Sequence, residues 1–449
     1  MASKARKTRQ NRRLIRKLGC GVAISAVMSG ALVPVASAAS VSPAQAGRVH
    51  GTPVPVVISD SVLDRMRGIG DPAADRVVAE LTARGQLPAV NKLLRQWVYN
   101  DQPLPSGLPS YLVSFIDQAR QLPSWADMSR ITAAAQFGQA HMSYLSLAYS
   151  MGVSTAAFTY PILASVFDPN VGIFLDFQKR LLGSLKLISG VYDPTAFGPH
   201  GQIIPDLVKV RLMHAAVRDY LDDSRWDTAK WGVAISQEAL LVETWLFGVF
   251  ALNTMQELGV QIPADIATDF LDTWRVEGWM LGVPTGAMPA DLPTANALFD
   301  QLAARDQWGS PQGRYLYNTF VDQASKYMSG PGGVDISPIL ISVIRCLLGP
   351  KRADMIGVPT SLWDDEVAPA LQNLQATTAD NTGPLGWFVQ VINDLLGDNV
   401  QMVTLKGEPV YLDIPAYRMP ARASLAGSRR GSANLSGDTR RERCRSGTR

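Results

Sequence analysis

The chain has 449 residues, 47% of them hydrophobic and 18% charged, which is typical of a globular protein able to bury a large core. Its formal net charge of +3 comes from the two ends of the chain. Residues 1–46 carry eight basic side chains and no acid, and residues 422–449 carry eight arginines against two acids. The body over 47–421 therefore has 26 basic and 37 acidic side chains. An acidic body does not favour nucleic acid as a partner. We also expect the protein to be a monomer.

The first 46 residues have the pattern of a bacterial export signal. A basic stretch with Arg12 and Arg13 leads into an apolar run over 18–38, which ends in a candidate cleavage site, ASA; cleavage after Ala46 is the alternative. The arginine pair indicates the twin-arginine route, which carries folded proteins. We expect residues 1–46 to engage the twin-arginine export machinery, and the mature protein to be secreted or associated with the cell envelope. An uncleaved N-terminal anchor is the other possibility.

From Asp71 and Pro72 onward, the sequence predicts helices almost throughout. Between 400 and 414 it alternates enough for a short extended pair, and residues 422–449 are expected to be disordered. The fold class is therefore predicted to be all-α, with one helical domain over 47–421. The longer predicted helices cover 129–150, 154–166, 168–189, 204–221, 236–258, 264–281, 290–305, 313–328, 336–348, 361–376 and 386–397.

Motifs for several kinds of site are absent from the sequence. It has no G-x-G-x-x-G, Walker A loop, H-E-x-x-H or G-x-S-x-G, and its four histidines are too few for a multi-histidine iron or zinc site. The three cysteines form no C-x-x-C-H haem attachment, so any haem must be non-covalent. Cys346, in an apolar run, is expected to be buried.

His214 is the most informative residue of the sequence. It alone among the histidines lies between two arginines, Arg211 at i−3 and Arg218 at i+4, so on a helix the three side chains share one stripe. Imidazole is a common iron ligand and guanidinium suits carboxylates. The stripe can therefore hold a haem, with iron on His214 and propionates near the arginines. The alternative is a core histidine between ion-paired arginines.

Five stretches together resemble the latex clearing proteins, or rubber oxygenases, and more broadly the family that their catalytic domain shares with the fungal MpaB-type oxygenases. They occur in the same order over roughly residues 60–400. The stretches are 70–75 (GDPAAD), 180–182 (RLL), 209–218 (KVRLMHAAVR), 235–240 (ISQEAL) and 274–279 (WRVEGW).

The resemblance implies a globin-like helical core with one non-covalent b-type haem (heme b). It further implies dioxygen activation beside a hydrophobic channel, which in rubber oxygenases cleaves cis-1,4-polyisoprene oxidatively. By position, His214 corresponds to the proximal iron ligand, and Arg211 and Arg218 to the arginines that flank it. Arg180 corresponds to the arginine of the distal helix. The ring nitrogen of His214 that does not bind iron carries an N–H, and the expected acceptor of this N–H is a backbone carbonyl or Glu238.

The chain departs from the family on the distal side. Rubber oxygenases have a lysine and a threonine after the distal arginine, where this chain has Gly183 and Ser184. They also have a glutamate, proposed as a base, at the position of Ala164. Ser184 is then expected to donate a hydrogen bond to bound oxygen, with Arg180 as the other catalytic residue. A small shift in register would bring Lys186 to the iron.

Three hypotheses follow for the function. The first is an exported haem-dependent oxygenase that acts on an apolar unsaturated substrate, polyisoprenoid or lipid-like. The second is a haem- or hydrophobe-binding protein of the same fold without oxygenase activity. The third is an exported helical protein without a cofactor, in which His214 is structural.

Overall fold

The computed structural model describes residues 57–167, 183–184, 186–188, 190–221, 226–327, 335–372, 404–405, 408–409 and 411–415. These residues belong to one compact unit that runs from Pro53 to Arg449. The predicted signal segment over 1–46, the predicted helix over 386–397 and the tail over 422–449 lie outside the described residues.

The described part of the chain is built from helices, which confirms the all-α fold class. In the first half they are α1 (Asp60–Arg67), α2 (Pro72–Ala83), α3 (Leu87–Leu94), α4 (Ser110–Ala119), α5 (Met128–Ala140), α6 (Met142–Leu147), α7 (Ser154–Ala157) and α8 (Pro161–Ala164). In the second half they are α9 (Ile203–Leu221), α10 (Thr228–Trp231), α11 (Gln237–Trp245), α12 (Ala251–Glu257), α13 (Ala264–Met280), α14 (Leu292–Asp306), α15 (Pro311–Tyr327), α16 (Ser337–Ile356) and α17 (Asp364–Gln372). Short 3₁₀ turns cover Ser165–Phe167 and Thr285–Ala287.

Side-chain caps explain where several of these helices begin. Asp71 accepts a hydrogen bond from the backbone N–H of Ala74 at the start of α2, where Pro72 has no N–H to leave unsatisfied. Ser236 accepts from the N–H of Ala239 in the same way at the start of α11. Both caps were visible in the sequence as a polar residue before an apolar run.

Two π-helical turns occur in the described chain, one where the helices predicted over 129–150 and 154–166 meet and one inside the helix predicted over 236–258. The first π segment (Ala148–Val153) lies between α6 and α7, and the second (Leu246–Phe250) lies between α11 and α12. Each turn holds one residue more than an α-helical turn, which leaves a backbone carbonyl outside the usual ladder and is frequent at functional sites. The two segments pack against each other in the core.

The long helix predicted over 129–150 is also interrupted at His141, whose φ of −119° is not helical. At the other end of the chain, the predicted extended pair is confirmed as two short antiparallel strands, β1 (Thr404–Leu405) and β2 (Glu408–Pro409). Cys346 is exposed, so the prediction that it is buried was wrong. The apolar stripe of α16 passes through Val343, Ile344 and Leu347, and the cysteine lies on another face.

One continuous apolar core joins most of the helices, from α1 to α17. Among the described residues, no single helix has both the length and the hydropathy of a membrane span. One pair of segments, Met142–Ala157 and Pro161–Phe167, meets both criteria when taken together, but the chain bends by 89° between them. Most of these residues are buried against other helices.

Candidate functional site

His214 lies in the second half of α9, a helix of 19 residues in which most side chains are buried. Its own side chain is half-buried, and its Nδ1 has no contact with solvent. Asp206 in the first turn and Arg218 in the last turn both suit the dipole of the helix. The predicted helix, its extent and the stripe that His214 shares with Arg211 and Arg218 are therefore present in the structure.

Both arginines of this stripe are held by carboxylates at the start of α2. Arg211 donates to Asp71 from Nε at 2.5 Å and from Nη2 at 3.1 Å. Arg218 donates from Nε to Asp75 at 2.7 Å and from Nη1 to the carbonyl of Ile235 at 3.0 Å. The GDPAAD stretch of the sequence is thus the partner of the histidine helix.

Gly70 allows this approach, because a Cβ there would lie 2.8 Å from Cδ of Arg218. Burial alone would raise the pKa of Asp71, but the hydrogen bonds and the charge of Arg211 outweigh burial and hold that pKa below its ordinary value. For Asp75 the balance is reversed, since burial raises its pKa despite Arg218.

One nitrogen of the Arg218 guanidinium is available to a further anion. Its side chain is buried, and its Nη2 has no hydrogen-bond partner among the described residues. A buried guanidinium N–H without an acceptor is costly, so a carboxylate close to this atom would stabilise it. The residues present therefore fit a cofactor that offers carboxylates beside the imidazole of His214. Arg211 is less available, because Asp71 engages it at two atoms.

Of the residues predicted for the distal side, Arg180 lies outside the described residues. Gly183 is buried, and a Cβ there would be 3.4 Å from the side chain of Leu412. Ser184 is exposed, and Ala164 is buried. Gly183, Ser184 and Ala164 thus provide neither a carboxylate nor an amine.

Lys186, considered as a residue that a shift in register would bring to the iron, instead forms an ion pair with Asp206 at 2.9 Å. Asp206 is buried in the first turn of α9. Nearby, Lys209 is buried and donates from Nζ to the carbonyl of Trp97 at 2.7 Å. Burial lowers the pKa of Lys209 to about 8. These lysines hold the start of the histidine helix.

Glu238 does not serve as an acceptor for His214, which corrects one sequence-based expectation. Its two oxygens accept from Nε of Arg67 at 2.5 Å and from Nε of Arg305 at 2.6 Å. Arg67 also pairs with Asp306. Burial, followed by the charge of Glu238, raises the pKa of Asp306 to about 6. This network joins α1, α11 and α14, and no local sequence pattern indicates it because its members are far apart in the chain.

Sequence reasoning also missed an aromatic cluster around the two π segments. The hydroxyls of Tyr149 and Tyr192 lie 2.5 Å apart, and Tyr149 donates to the carbonyl of Phe247 at 2.8 Å. Nε1 of Trp274 donates to the hydroxyl of Tyr192 at 3.0 Å. Since the single proton of Tyr149 goes to Phe247, Tyr192 must donate to Tyr149. The chain of hydrogen bonds thus satisfies a carbonyl inside the second π segment.

Two glutamates lie in the same core, and the sequence showed them only as acids within apolar runs. Glu277 on α13 is buried, and neither of its carboxylate oxygens has a hydrogen-bond partner among the described residues. Burial raises its pKa well above the ordinary value. Glu243 on α11 is also deeply placed, and burial raises its pKa to about 7. Buried acids with perturbed pKa values are candidates for chemistry.

The described residues contain no group of three or more His, Cys, Asp or Glu side chains that would hold a metal ion. The fold and the site together define a helical protein with one half-buried histidine between arginines that carboxylates hold.

Comparison with known proteins identifies the class. The family described as ER-bound oxygenase mpaB/B'/Rubber oxygenase, catalytic domain, matches residues 139–379. A rubber oxygenase of Streptomyces sp. (strain K30) is 32% identical over 367 residues, which cover 79% of this chain and 87% of that protein. A solved structure of the latex clearing protein LCP in the closed state has a TM-score of 0.68 at 28% sequence identity, and covers 78% of this chain and 95% of that chain. The chain belongs to this oxygenase family.

Proposed function

We propose that the protein is an exported haem-dependent oxygenase that cleaves or oxygenates an apolar unsaturated substrate such as a polyisoprenoid. Membership of the oxygenase family supports the reaction class, and the relative named rubber oxygenase supports the substrate class. The observation that supports the cofactor is on α9: a half-buried His214 lies one turn before Arg218, whose buried Nη2 has no hydrogen-bond partner in the described part of the chain. The bound haem iron would supply the activation of dioxygen.

In this proposal the protein's own residues have distinct tasks. His214 would be the protein ligand of the iron, and Arg218 would pair with a carboxylate of the cofactor through Nη2. Arg211 would fix the rotation of α9 through Asp71, and so aim the imidazole. Arg180 and Ser184 are proposed to contact dioxygen, because their positions in the sequence correspond to the distal helix of the family. The continuous apolar core around α9 would exclude water from the site.

The cofactor is tested by expressing the chain with ample haem and recording its absorption spectrum. We expect a Soret band, which His214→Ala abolishes and His200→Ala leaves intact. His200 is the matched control because its side chain is 89% exposed on a loop. A His214→Ala variant that keeps its haem would show that another residue is the ligand, and a wild-type protein without a Soret band would overturn the haem proposal.

A second candidate function is binding of haem or an apolar molecule without oxygenation. It is favoured by the distal positions, where Gly183 and Ala164 carry no reactive group and Ser184 is exposed. Oxygen consumption by the haem-loaded protein with cis-1,4-polyisoprene separates the two candidates. Uptake of dioxygen together with carbonyl products supports the oxygenase, and haem binding without uptake supports the second candidate.

The proposal of export rests on the first 46 residues, which lie outside the described residues. Changing Arg12 and Arg13 together to lysine keeps the charge but removes the twin-arginine pair. We expect the full chain to be found outside the cytoplasm of a bacterial host and the double variant to remain inside. Equal export of both proteins would contradict the twin-arginine route.

A further inference from the structure

A short segment near the C-terminal end of the chain, residues 411–415, crosses the surface of the helical body, and we call it the strap. It forms neither a helix nor a strand. Burial alternates along it, since Leu412 and Ile414 are buried while Tyr411 is exposed and Asp413 is partly exposed. In an extended chain, successive side chains point to opposite sides. The strap therefore has an apolar face turned to the protein and a polar face turned outward.

Two side chains on and just after α3 anchor the strap. Asn91 donates from Nδ2 to the carbonyl of Ile414 at 2.8 Å, and its Oδ1 accepts the N–H of Ile414 at 2.9 Å. Arg95 donates to both carboxylate oxygens of Asp413, at 2.9 and 2.5 Å, and its guanidinium lies 4.7 Å from the ring centre of Tyr411. Ile414 is fully buried in the continuous apolar core. The strap is thus docked through its backbone and through its side chains.

The other buried side chain of the strap, Leu412, closes the space beside Gly183. A Cβ added to Gly183 would lie 3.4 Å from Cδ2 of Leu412, which is ordinary van der Waals contact. Alanine therefore fits at position 183 while Leu412 is in place, and a larger side chain would have to displace Leu412. The leucine fills the volume into which such a side chain would extend.

Contacts of the following residues place Gly183 close to the histidine helix. Lys186 pairs with Asp206 at 2.9 Å, and a Cβ added to Gly190 would lie 3.5 Å from Cδ1 of Ile203. Because the earlier residue of one segment meets the later residue of the other, the segment from 183 to 190 runs antiparallel to α9. The same register puts Gly183 beside the next turn of α9, about 5 Å along the helix axis from the turn of His214.

The surroundings of Lys209, on that turn of α9, agree with this placement. Burial lowers the pKa of Lys209 to about 8, and the charges of Asp206, Lys186 and Asp413 also act on it. Its Nζ donates to the carbonyl of Trp97, which follows α3. The strap, the end of α3 and the segment of Gly183 therefore meet at the first half of the histidine helix.

We propose that the strap is autoinhibitory: Leu412 occupies apolar space beside Gly183 that a substrate chain also occupies, so the substrate must displace the strap to bind there. This role rests on the proposed function, which gives this side of α9 to an apolar substrate. The side chain of leucine is a branched hydrocarbon group similar in shape to an isoprene unit, so a surface that holds Leu412 also suits a polyisoprenoid. Displacement is feasible because the side chain of Arg95 is 46% exposed, and an ion pair that reaches solvent stabilises docking only modestly.

Docking of the strap is measured by hydrogen exchange at the N–H of Ile414, which Asn91 accepts. Leu412→Ala removes the contact with Gly183 and should accelerate this exchange by at least about tenfold. Gly183→Leu should also accelerate it, because the new side chain displaces Leu412. Gly183→Ala is the matched control and should leave the exchange unchanged. Wild-type exchange in both Leu412→Ala and Gly183→Leu would overturn the proposal.

Competition with substrate is the second test. Adding a short cis-1,4-isoprene oligomer to the wild-type protein should accelerate exchange at Ile414, a readout that needs no turnover. In the haem-loaded protein, Leu412→Ala should lower the KM of oxygen uptake with this oligomer by the same factor by which it accelerates exchange, at nearly constant kcat, since both report the docking equilibrium. Leu362→Ala is the matched control, because the side chain of Leu362 is 97% exposed.

The outcomes separate the strap from the oxygenase. Faster exchange in Leu412→Ala with a wild-type KM would show that the strap docks without competing with the substrate, and the proposal would fail while the oxygenase stands. Oligomer-induced exchange at Ile414 without any oxygen uptake would contradict the proposed oxygenase and support the strap as a cover of an apolar binding site.

Discussion

Acidic side chains are paired with arginines in one region of the molecule, the interface of α2 with α9. They are not paired in another, the core around the two π segments, as far as the described residues show. In the interface, Asp71 and Asp75 meet Arg211 and Arg218 at hydrogen-bonding distance. In the core, Glu277 has no hydrogen-bond partner among the described residues, and Glu243 is shifted by burial alone. Both regions are buried, so the difference between them is whether the carboxyl group has a basic partner.

This difference separates residues that set geometry from residues that are free to react. A paired carboxylate has its oxygens occupied and holds two helices in register, as Asp71 and Asp75 do; the partner lowers the pKa of Asp71, whereas burial still raises that of Asp75. An acid shifted by burial keeps its oxygens for other contacts and titrates closer to neutral pH. The arginines of the His214 stripe therefore hold α9 in register with the start of α2.

The largest expected effect is in the paired region. Asp71→Ala removes the cap of α2 and leaves Arg211 without its carboxylate, so the free energy of unfolding should fall by about 3–5 kcal/mol. Urea denaturation followed by circular dichroism measures this loss. Asp127→Ala is the control, since Asp127 caps α5 on an exposed site away from any buried ion pair, and its loss should be much smaller. Equal losses in the two variants would show that Asp71 acts only as a cap.

The next effect, in the unpaired region, depends on pH. The pKa of Glu243 is raised from 4.5 to about 7 in the folded protein, so the native state holds a proton that the unfolded state has released between these values. Glu243 therefore lowers the free energy of unfolding as pH rises through this window. Glu243→Gln should be more stable than the wild type at pH 8, by up to about 3 kcal/mol, and equal to it below pH 4.5. A constant difference at all pH values would contradict a buried, titrating carboxyl.

The contrast between the two regions also marks how far the sequence could predict the site. The spacing of Arg211, His214 and Arg218 is local, so helical periodicity was enough to place them on one stripe. Asp71 was visible as the start of a helix, but the 140 residues that separate it from Arg211 hid their ion pair. Glu238 was considered as an acceptor for His214, whereas its partners are Arg67 and Arg305. These arginines lie far from Glu238 in the sequence, so no local pattern indicates them.

The second region was invisible for a different reason. A π segment adds one residue to a turn, and the spacing of apolar residues over 129–166 and 236–258 does not predict its position. Beyond the π turn, every side chain on the helix is rotated relative to the α-helical prediction. The pairing of the Tyr149 hydroxyl with the carbonyl of Phe247, a residue inside the second π segment, is therefore not visible in the α-helical spacing.

The smallest expected effect concerns the hydrogen bonds that hold this rotation in place. Tyr149→Phe removes the donor to the carbonyl of Phe247 and the acceptor of Tyr192, and should lower the free energy of unfolding by roughly 1–3 kcal/mol. Urea denaturation followed by circular dichroism measures this loss. Tyr411→Phe is the control, because Tyr411 is exposed at the surface. Equal losses in Tyr149→Phe and Tyr411→Phe would show that the hydroxyl of Tyr149 does not stabilise this part of the core.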